Sequence, residues 1–299
     1  MSRRVTVAAA QYPVGELETW EAFEAKLTRW CREGAAGGAQ LLVFPEYASM
    51  ELASLFEARL RADLQGQIAA MQALRPRWQS LHRELARQLG IFILAGSFPV
   101  RMEDGRYHNR AQLFSPSGET AWQDKRMMTR FENEQWGIAG GDMPPHLFDT
   151  AIGRIGVCVC YDIEFPLIAR ALVEAGAEIL LAPSCTDTLA GYHRVRIGAR
   201  ARALENQCYV IQAPLVGEAP WSPAVDVNVG IAGVFTPVDR GFPADGVLAE
   251  GGLTNPGWTF ADLDLDDLER VRAEGQVFNH RDWPKQTAPQ SVKPQVVAL

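Results

Sequence analysis

The sequence has no long run of apolar residues. A helix that spans a membrane needs about 18 or more of them in succession, and no segment of the 299 residues approaches this. Two arginines before residues 5–10 superficially resemble the start of a signal peptide. The run ends at Gln11, however, and its β-branched residues indicate a first strand instead. We therefore expect a cytoplasmic protein that does not bind membranes.

An excess of positive charge is also missing. The chain has 29 lysines and arginines against 36 aspartates and glutamates, a net charge of −7, and a pI near 5.4. Binding to nucleic acid ordinarily needs a basic surface, so we expect no nucleic-acid partner. With 47% apolar and 22% charged residues, the composition is that of an ordinary globular protein.

Cysteine and histidine are sparse. Five cysteines at irregular spacing do not form the pattern of a disulfide framework. Cys158 and Cys160 are too close together for the usual zinc pair, and the five histidines are scattered along the chain. The sequence therefore predicts no metal site.

What the chain does contain is a regular alternation of strands and helices. Short apolar or β-branched runs predict strands at 5–10, 41–44, 91–97, 110–114, 154–160, 179–182, 209–213, 230–235 and 258–262. Helices are predicted at 18–34, 64–89 (which Pro76 should interrupt), 166–175, 192–206 and 263–273. Nearly continuous apolar strands favour sheets that are covered on both faces by helices. We expect a single α/β domain over residues 1–280, a surface loop at 217–228 and a C-terminal arm at 281–299.

Three segments end in residues that could carry chemistry. Glu46 follows strand 41–44 directly, and burial there would raise the pKa of its carboxyl toward that of a general base. Lys125 lies in an apolar and aromatic neighbourhood, where its ammonium could face a developing oxyanion. Taken singly, both residues are better explained as solvated surface residues.

Cys160 stands where a strand turns into a helix. A cysteine at such a corner is exposed at the sheet edge, and a nearby helix N-terminus favours the thiolate over the thiol. The alternative is a small buried hydrophobic residue, which is common for free cysteine and is our interpretation of Cys158. Cys185 is the main competitor for a reactive thiol.

Together these residues form a recognisable set. The motifs Phe44-Pro45-Glu46, the segment around Lys125, and Cys160-Tyr161-Asp162 occur in the order found in the carbon–nitrogen hydrolase (nitrilase) superfamily, which the chain resembles over about residues 5–265. The resemblance is closest to a poorly characterised bacterial amidohydrolase branch, some members of which are fused to an acetyltransferase domain. It implies a four-layer αββα sandwich, no metal or organic cofactor, and a homodimer or higher homo-oligomer.

The resemblance also implies a reaction. Cys160 would attack an amide and form a thioester, Glu46 would act as general base, and Lys125 would stabilise the oxyanion. A second glutamate should stand beside the lysine, and counting along the chain favours Glu134 while leaving Glu132 open. Small-molecule nitriles are an alternative substrate, because a nitrilase uses the same residues. A catalytically silent binding or scaffold protein is the alternative from another class.

Three further residues are expected to bind substrate, namely Tyr161, Glu164 and Thr186. Many relatives carry arginine at the position of Glu164, so the substrate of a relative cannot be transferred to this chain. A carboxylate there would disfavour an acidic substrate.

Overall fold

The computed structural model describes residues 3–286, 293 and 295–297, and its sheet divides into two halves. In the described residues the strands are β1 (Arg4–Pro13), β2 (Leu41–Val43), β3 (Phe92–Arg101), β4 (Tyr107–Phe114), β5 (Thr120–Asp124), β6 (Ile138–Ala139), β7 (Leu147–Thr150), β8 (Gly153–Val157), β9 (Ile179–Ser184), β10 (Tyr209–Glu218), β11 (Val227–Asn228), β12 (Gly233–Phe235), β13 (Val247–Glu250) and β14 (Gly257–Asp264). One half has the order β5-β4-β3-β2-β1-β14, and the other β7-β8-β9-β10-β12-β13.

The two halves meet at the ends of β1 and β10. These strands pair in parallel only at Tyr12 with Leu215 and at Pro13 with Val216. In one half, β2 and β3 run parallel to β1, and in the other, β8 and β9 run parallel to β10. Residues that follow strands in both halves are therefore brought to one common edge.

Helices cover the outer faces. They are α1 (Trp20–Ala36), α2 (Ala58–Arg61), α3 (Leu64–Met71), α4 (Arg75–Leu89), α5 (Pro166–Glu174), α6 (Leu189–Asn206), α7 (Leu265–Glu274) and α8 (Asn279–Asp282). Short 3₁₀ helices span Ala48–Leu55, Cys160–Glu164 and Trp283–Lys285, and a π turn spans Glu132–Trp136.

The side chains of β1 alternate between two apolar cores, and this shows how the layers pack. Val5 and Val7 belong to the apolar core that lies between the two sheet halves and also includes the inner faces of α5 and α6. Ala8 and Ala10 point the other way, into a second core shared with α1, α3 and α4. Because side chains alternate along a strand, one strand supplies both cores. The predicted four-layer αββα sandwich is confirmed.

All nine predicted strands coincide with observed ones, although several bounds differ. The predicted strand 154–160 ends at Val157, and Cys160 instead begins a 3₁₀ helix. Pro76 lies in the first turn of α4, where a missing N–H costs nothing, and thereby separates α3 from α4 as expected. Strands β5, β6, β7, β11 and β13 were not predicted, because most are short or too polar to show a period.

The segment 217–228 forms the turn from β10 into β11, and residues such as Glu218, Pro223 and Asp226 are exposed, as expected of a surface loop. Its inner side is packed, however: Ala219, Ser222 and Val225 are buried, and the Ser222 hydroxyl donates a hydrogen bond to Gln67 Oε1. Proline and polar residues signal a turn but not the side on which it packs. Of the predicted arm 281–299, residues 281–285 continue helical structure, and 287–292, 294, 298 and 299 lie outside the described residues.

Candidate active site

The three reactive side chains predicted from sequence meet at the common strand edge. Glu46 follows β2, Lys125 follows β5, and Cys160 follows β8. The Lys125 Nζ donates a hydrogen bond of 2.7 Å to Glu46 Oε1, and the Glu46 carboxylate interacts electrostatically with the thiol of Cys160. All three residues are buried, with exposures of 1% for Glu46 and Lys125 and 4% for Cys160.

The backbone at Cys160 is strained. Its φ of +48° lies in the left-handed region, which residues other than glycine rarely adopt and which costs on the order of 1–3 kcal/mol. The chain turns sharply there, and the Sγ points at the Cys185 carbonyl oxygen, 3.7 Å away. Such strain persists where the surroundings fix the residue, as in nucleophiles held at a strand-to-helix turn.

The backbone next to Glu46 is fixed as well. Tyr47 has a φ of +57°, and its N–H donates to Ser97 Oγ at 2.9 Å. At Gly96, whose φ is +70°, an added Cβ would lie 1.9 Å from the Pro45 carbonyl oxygen, so only glycine fits. The irregular middle of β3, at Gly96 and Ser97, therefore locks the turn that carries the carboxylate.

The second glutamate, the one that lies beside Lys125, is Glu132 and not Glu134, which counting along the chain favours. Glu132 Oε2 accepts a 2.6 Å hydrogen bond from Lys125 Nζ, and Glu132 Oε1 accepts one of 2.7 Å from the Tyr47 hydroxyl. The Glu134 side chain is 53% exposed and pairs with Arg130 at 2.8 Å. The expectation that Glu134 lies beside Lys125 is thus wrong. The π turn over Glu132–Trp136 directs Glu132 inward instead.

Sequence reasoning missed two residues that contact the carboxylates. The Asn109 Nδ2 lies 2.9 Å from Glu46 Oε1 and 3.0 Å from Glu132 Oε1. The Cys185 N–H donates to Glu46 Oε2 at 3.0 Å. Neither residue stands in a motif of its own, and a backbone N–H leaves no signal in a sequence.

Asp162 fixes the lysine segment from the side of the cysteine. Its carboxylate accepts hydrogen bonds from the N–H of Arg126 at 3.1 Å and of Met127 at 2.7 Å. Burial raises the pKa of this carboxyl to about 6, although the two backbone donors oppose that shift. The third residue of the Cys160-Tyr161-Asp162 motif thus ties the turn after β8 to the turn after β5.

The electrostatics favour a carboxylate that can exchange a proton near neutral pH. Burial raises the pKa of Glu46 to about 7; the Lys125 ammonium opposes this rise, and the Glu132 carboxylate adds to it. Burial alone would lower the pKa of Lys125, but the two carboxylates outweigh it, and the net shift is upward. Burial would raise the pKa of Glu132, yet Lys125 and hydrogen-bond donors bring it below its ordinary value.

The thiol does not behave as expected from a helix dipole. Burial, and then the Glu46 carboxylate, raise the pKa of Cys160 well above its ordinary value, so the resting group is the thiol. Cys160 heads a 3₁₀ helix of five residues, whereas α5 begins only at Pro166. A base would therefore be needed to form the thiolate, and the Glu46 carboxylate is the group whose charge acts most strongly on the thiol.

A cavity of about 650 Å³ opens over these groups. Its lining includes the predicted substrate-binding residues Tyr161, Glu164 and Thr186, together with Cys160 and Cys185. The Glu164 carboxylate lies 3.7 Å from the Arg194 guanidinium, and the Thr186 hydroxyl donates to the Val229 carbonyl at 2.7 Å. The volume suits a small molecule whose reacting end reaches the sulfur.

Comparison with known proteins identifies the family of this chain. Residues 6–273 match the carbon-nitrogen hydrolase family. A relative from Bacillus subtilis, named probable hydrolase YhcX, is 34% identical over 284 residues, which are 93% of this chain and 53% of that protein. A deaminated glutathione amidase from a Synechocystis species is 30% identical over 211 residues, 66% of this chain and 73% of that one.

A solved structure shows the same architecture. A variant of the Nesterenkonia AN1 amidase from the nitrilase superfamily superimposes with a TM-score of 0.66 at 26% identity, covering 94% of this chain and 97% of that one. The fold is therefore that of the nitrilase superfamily. The chain belongs to the carbon-nitrogen hydrolase family of enzymes. It spans about half the length of the Bacillus subtilis relative. In the part of the chain that the structure describes, no helix combines the length and hydrophobicity needed to cross a bilayer.

Proposed function

We propose that this protein hydrolyses a non-peptide amide to an acid and ammonia or an amine, through a thioester on Cys160. The observation that carries the proposal is the burial of a thiol, a carboxylate with a pKa of about 7 and an ammonium at the base of one cavity. A nucleophile, a base and an oxyanion donor are the parts that acyl transfer requires. The related amidases support amide hydrolysis over a silent scaffold.

In the first half of the reaction, Glu46 takes the proton of the Cys160 thiol while the sulfur attacks the amide carbon. The carbonyl π electrons move to the oxygen, and the Lys125 ammonium stabilises the resulting oxyanion. When the tetrahedral intermediate collapses, the C–N bond breaks and Glu46 returns the proton to the departing nitrogen. Ammonia or an amine leaves, and the acyl group remains on sulfur.

In the second half, water replaces the nitrogen. Glu46 removes a proton from the water as its oxygen attacks the thioester carbon, and Lys125 again faces the oxyanion. The C–S bond then breaks, the sulfur recovers its proton from Glu46, and the acid leaves. Glu132 holds the ammonium in place through its 2.6 Å contact, so Lys125 remains charged throughout. The steps use only side chains and water.

The thioester itself is the most direct test. We expect wild-type protein that is quenched with acid during turnover of a panel of small amides and nitriles to carry the acyl group on the peptide containing Cys160. Peptide-resolved mass spectrometry measures this adduct, and ammonia release measures the first half-reaction. The peptide containing Cys185 in the same digest is the internal control. An acyl group found only on Cys185, or turnover of nitriles without any turnover of amides, would refute the proposal.

The charge of the cavity predicts which amides are preferred. Its lining contains Glu164, Asp187 and Asp226 outside the catalytic cluster, and its two arginines lie against Glu164 and Glu134. A substrate that carries a carboxylate in addition to its amide would therefore meet uncompensated negative charge in the cavity. We expect neutral or cationic amides to exceed succinamate-type acids of matched length in kcat/KM by on the order of tenfold.

The matched variants for this prediction are Asp187→Asn and Asp226→Asn. Each should narrow the difference in kcat/KM between neutral and acidic amides. Asp104 does not line the cavity, so Asp104→Asn should leave this difference unchanged. A clear preference of the wild type for acidic amides would mean that Arg194 and Arg130, not the carboxylates, determine the charge that the substrate meets.

We also propose that the enzyme acts in the cytoplasm as a homodimer or higher homo-oligomer. The large apolar residues Leu167 on α5 and Ile197 on α6 are 65% and 67% exposed. A second copy packed on this face would cover them.

A further inference from the structure

Asn109 occupies an unusual place between two acids. It lies on β4 with no exposed surface, and its amide nitrogen contacts one carboxylate oxygen of Glu46 at 2.9 Å and one of Glu132 at 3.0 Å. An amide NH₂ group has two hydrogens, so it can donate one to each acid. Asn109 thus bridges the two carboxylates without adding charge.

Lys125 bridges the same two acids from another side. Its Nζ lies 2.7 Å from Glu46 Oε1 and 2.6 Å from Glu132 Oε2. When both acids are ionised, one ammonium balances only one of the two negative charges. The neutral donor Asn109 offsets the remaining repulsion between the carboxylates, because hydrogen bonds to a carboxylate stabilise its charged form.

The contacts distribute unequally over the two oxygens of Glu46. Both Asn109 and Lys125 donate to Oε1, whereas the one donor to Oε2 among the described residues is the Cys185 N–H, at 3.0 Å. The carbonyl of the same residue, Cys185, receives the Cys160 thiol at 3.7 Å. Oε2 therefore has a lone pair to spare, and its donor residue also contacts the nucleophile.

The amide of Asn109 is also fixed in one orientation. Its Oδ1 is buried and has no hydrogen-bond partner among the residues that the structure describes. Rotating the amide by half a turn would direct this oxygen at two carboxylates, which is repulsive. Because an unpartnered buried acceptor is costly, its presence here indicates that the position serves the NH₂ group and its two acids.

We propose that Asn109 is a positioning residue, which holds Glu46 and Glu132 in register and leaves Glu46 Oε2 free to exchange a proton with Cys160. The proposal rests on the proposed function only for the role of Glu46 as base. It deepens that function, because it assigns separate tasks to the two oxygens of one carboxylate.

The test is the alkylation of Cys160 by iodoacetamide between pH 5 and 9, which needs no substrate. Peptide-resolved mass spectrometry separates Cys160 from Cys185. Asn109→Leu removes both donated hydrogen bonds while nearly keeping the volume. Without them the pKa of Glu46 rises, the base is ionised only at higher pH, and the midpoint of the alkylation rate should move up by about one pH unit. Asn109→Ser, whose hydroxyl can donate to one acid only, should move it less.

A matched control is Asn206→Leu. Asn206 is equally buried, its Nδ2 donates to the Arg202 carbonyl, and its Oδ1 likewise has no partner within the described part of the chain, but it lies at the end of α6. The substitution should lower Tm without moving the midpoint of the alkylation rate. An unchanged midpoint in Asn109→Ser and Asn109→Leu, or an equal shift in Asn206→Leu, would overturn the inference. A wild-type protein that shows the pH-dependent alkylation but cleaves no amide would refute the proposed function and leave this inference standing.

Discussion

Replacing Cys160 by alanine is expected to abolish the hydrolysis of every amide that the wild-type protein cleaves. The sulfur is the only protein atom in the proposed mechanism that bonds to the substrate carbon, and removing a nucleophile that acts with its base as one unit costs about 10⁶-fold in kcat. The fold should survive, because the one hydrogen bond of the thiol within the described residues is long, 3.7 Å to the Cys185 carbonyl, and alanine is no more strained than cysteine at this backbone position. Rates of ammonia release and Tm measure the two effects.

The control for this prediction is Cys185→Ala. Cys185 contributes to the site through its N–H and its carbonyl oxygen, and its own sulfur lies against Asn228 Oδ1 at 3.2 Å. Alanine keeps both main-chain contacts, so most of the turnover should remain. Retained turnover in Cys160→Ala, or an equal loss in Cys185→Ala, would assign the nucleophile to another residue.

The meeting of Glu46 and Cys160 was predictable because both follow predicted apolar strands, whereas Lys125 follows β5, which was not predicted, and its place in the site was expected from the resemblance. Residues in that position collect at one edge of a layered α/β fold, whatever the length of the chain between them. Glu46 and Lys125 come from one half of the sheet and Cys160 from the other, and the short pairing of β1 with β10 joins the halves. The four-layer arrangement itself was expected from the resemblance, since strand patterns alone do not fix the number of layers.

The choice between Glu132 and Glu134 could not be made from sequence. The two residues stand two positions apart in a segment with no apolar period, and a π turn sets which one faces inward. Such a turn depends on what its neighbours pack against, here the Tyr47 hydroxyl and the Thr129 N–H that hold Glu132. The contact with Thr129 is local, but Tyr47 is 85 residues away, and the local sequence does not show that its hydroxyl will lie here.

Asn109 and the raised pKa of the thiol escaped prediction for a related reason. Asn109 is separated by 63 and 23 residues from the acids it bridges, and its effect exists only once β4 lies beside them. For Cys160, the strand-to-helix corner suggested a thiolate. Burial and the adjacent carboxylate have the opposite effect on the pKa, and both depend on the tertiary structure.

Glu46→Gln is the second substitution with a large expected effect. Glutamine keeps the shape and its carbonyl oxygen can still accept from Lys125 and Asn109, but it cannot take a proton. Because general base catalysis contributes about 10²–10⁴-fold to each step that uses it, both acylation and thioester hydrolysis should fail. The fold should persist, since Lys125 keeps Glu132 as a neutralising partner at 2.6 Å.

The pH profile makes the assignment of the base specific. Burial raises the pKa of Glu46 to about 7, and the base must be ionised to accept the thiol proton, so wild-type kcat/KM should fall as the pH decreases below about 7. In Glu46→Gln the residual kcat/KM should no longer show this acidic limb, the fall at low pH. The exposed Glu134→Gln, which removes only a partner of Arg130, should keep both the rate and the limb. If Glu46→Gln instead retains near-normal turnover across the pH range, another group is the base, and Glu132 is the carboxylate close enough to Lys125 to replace it.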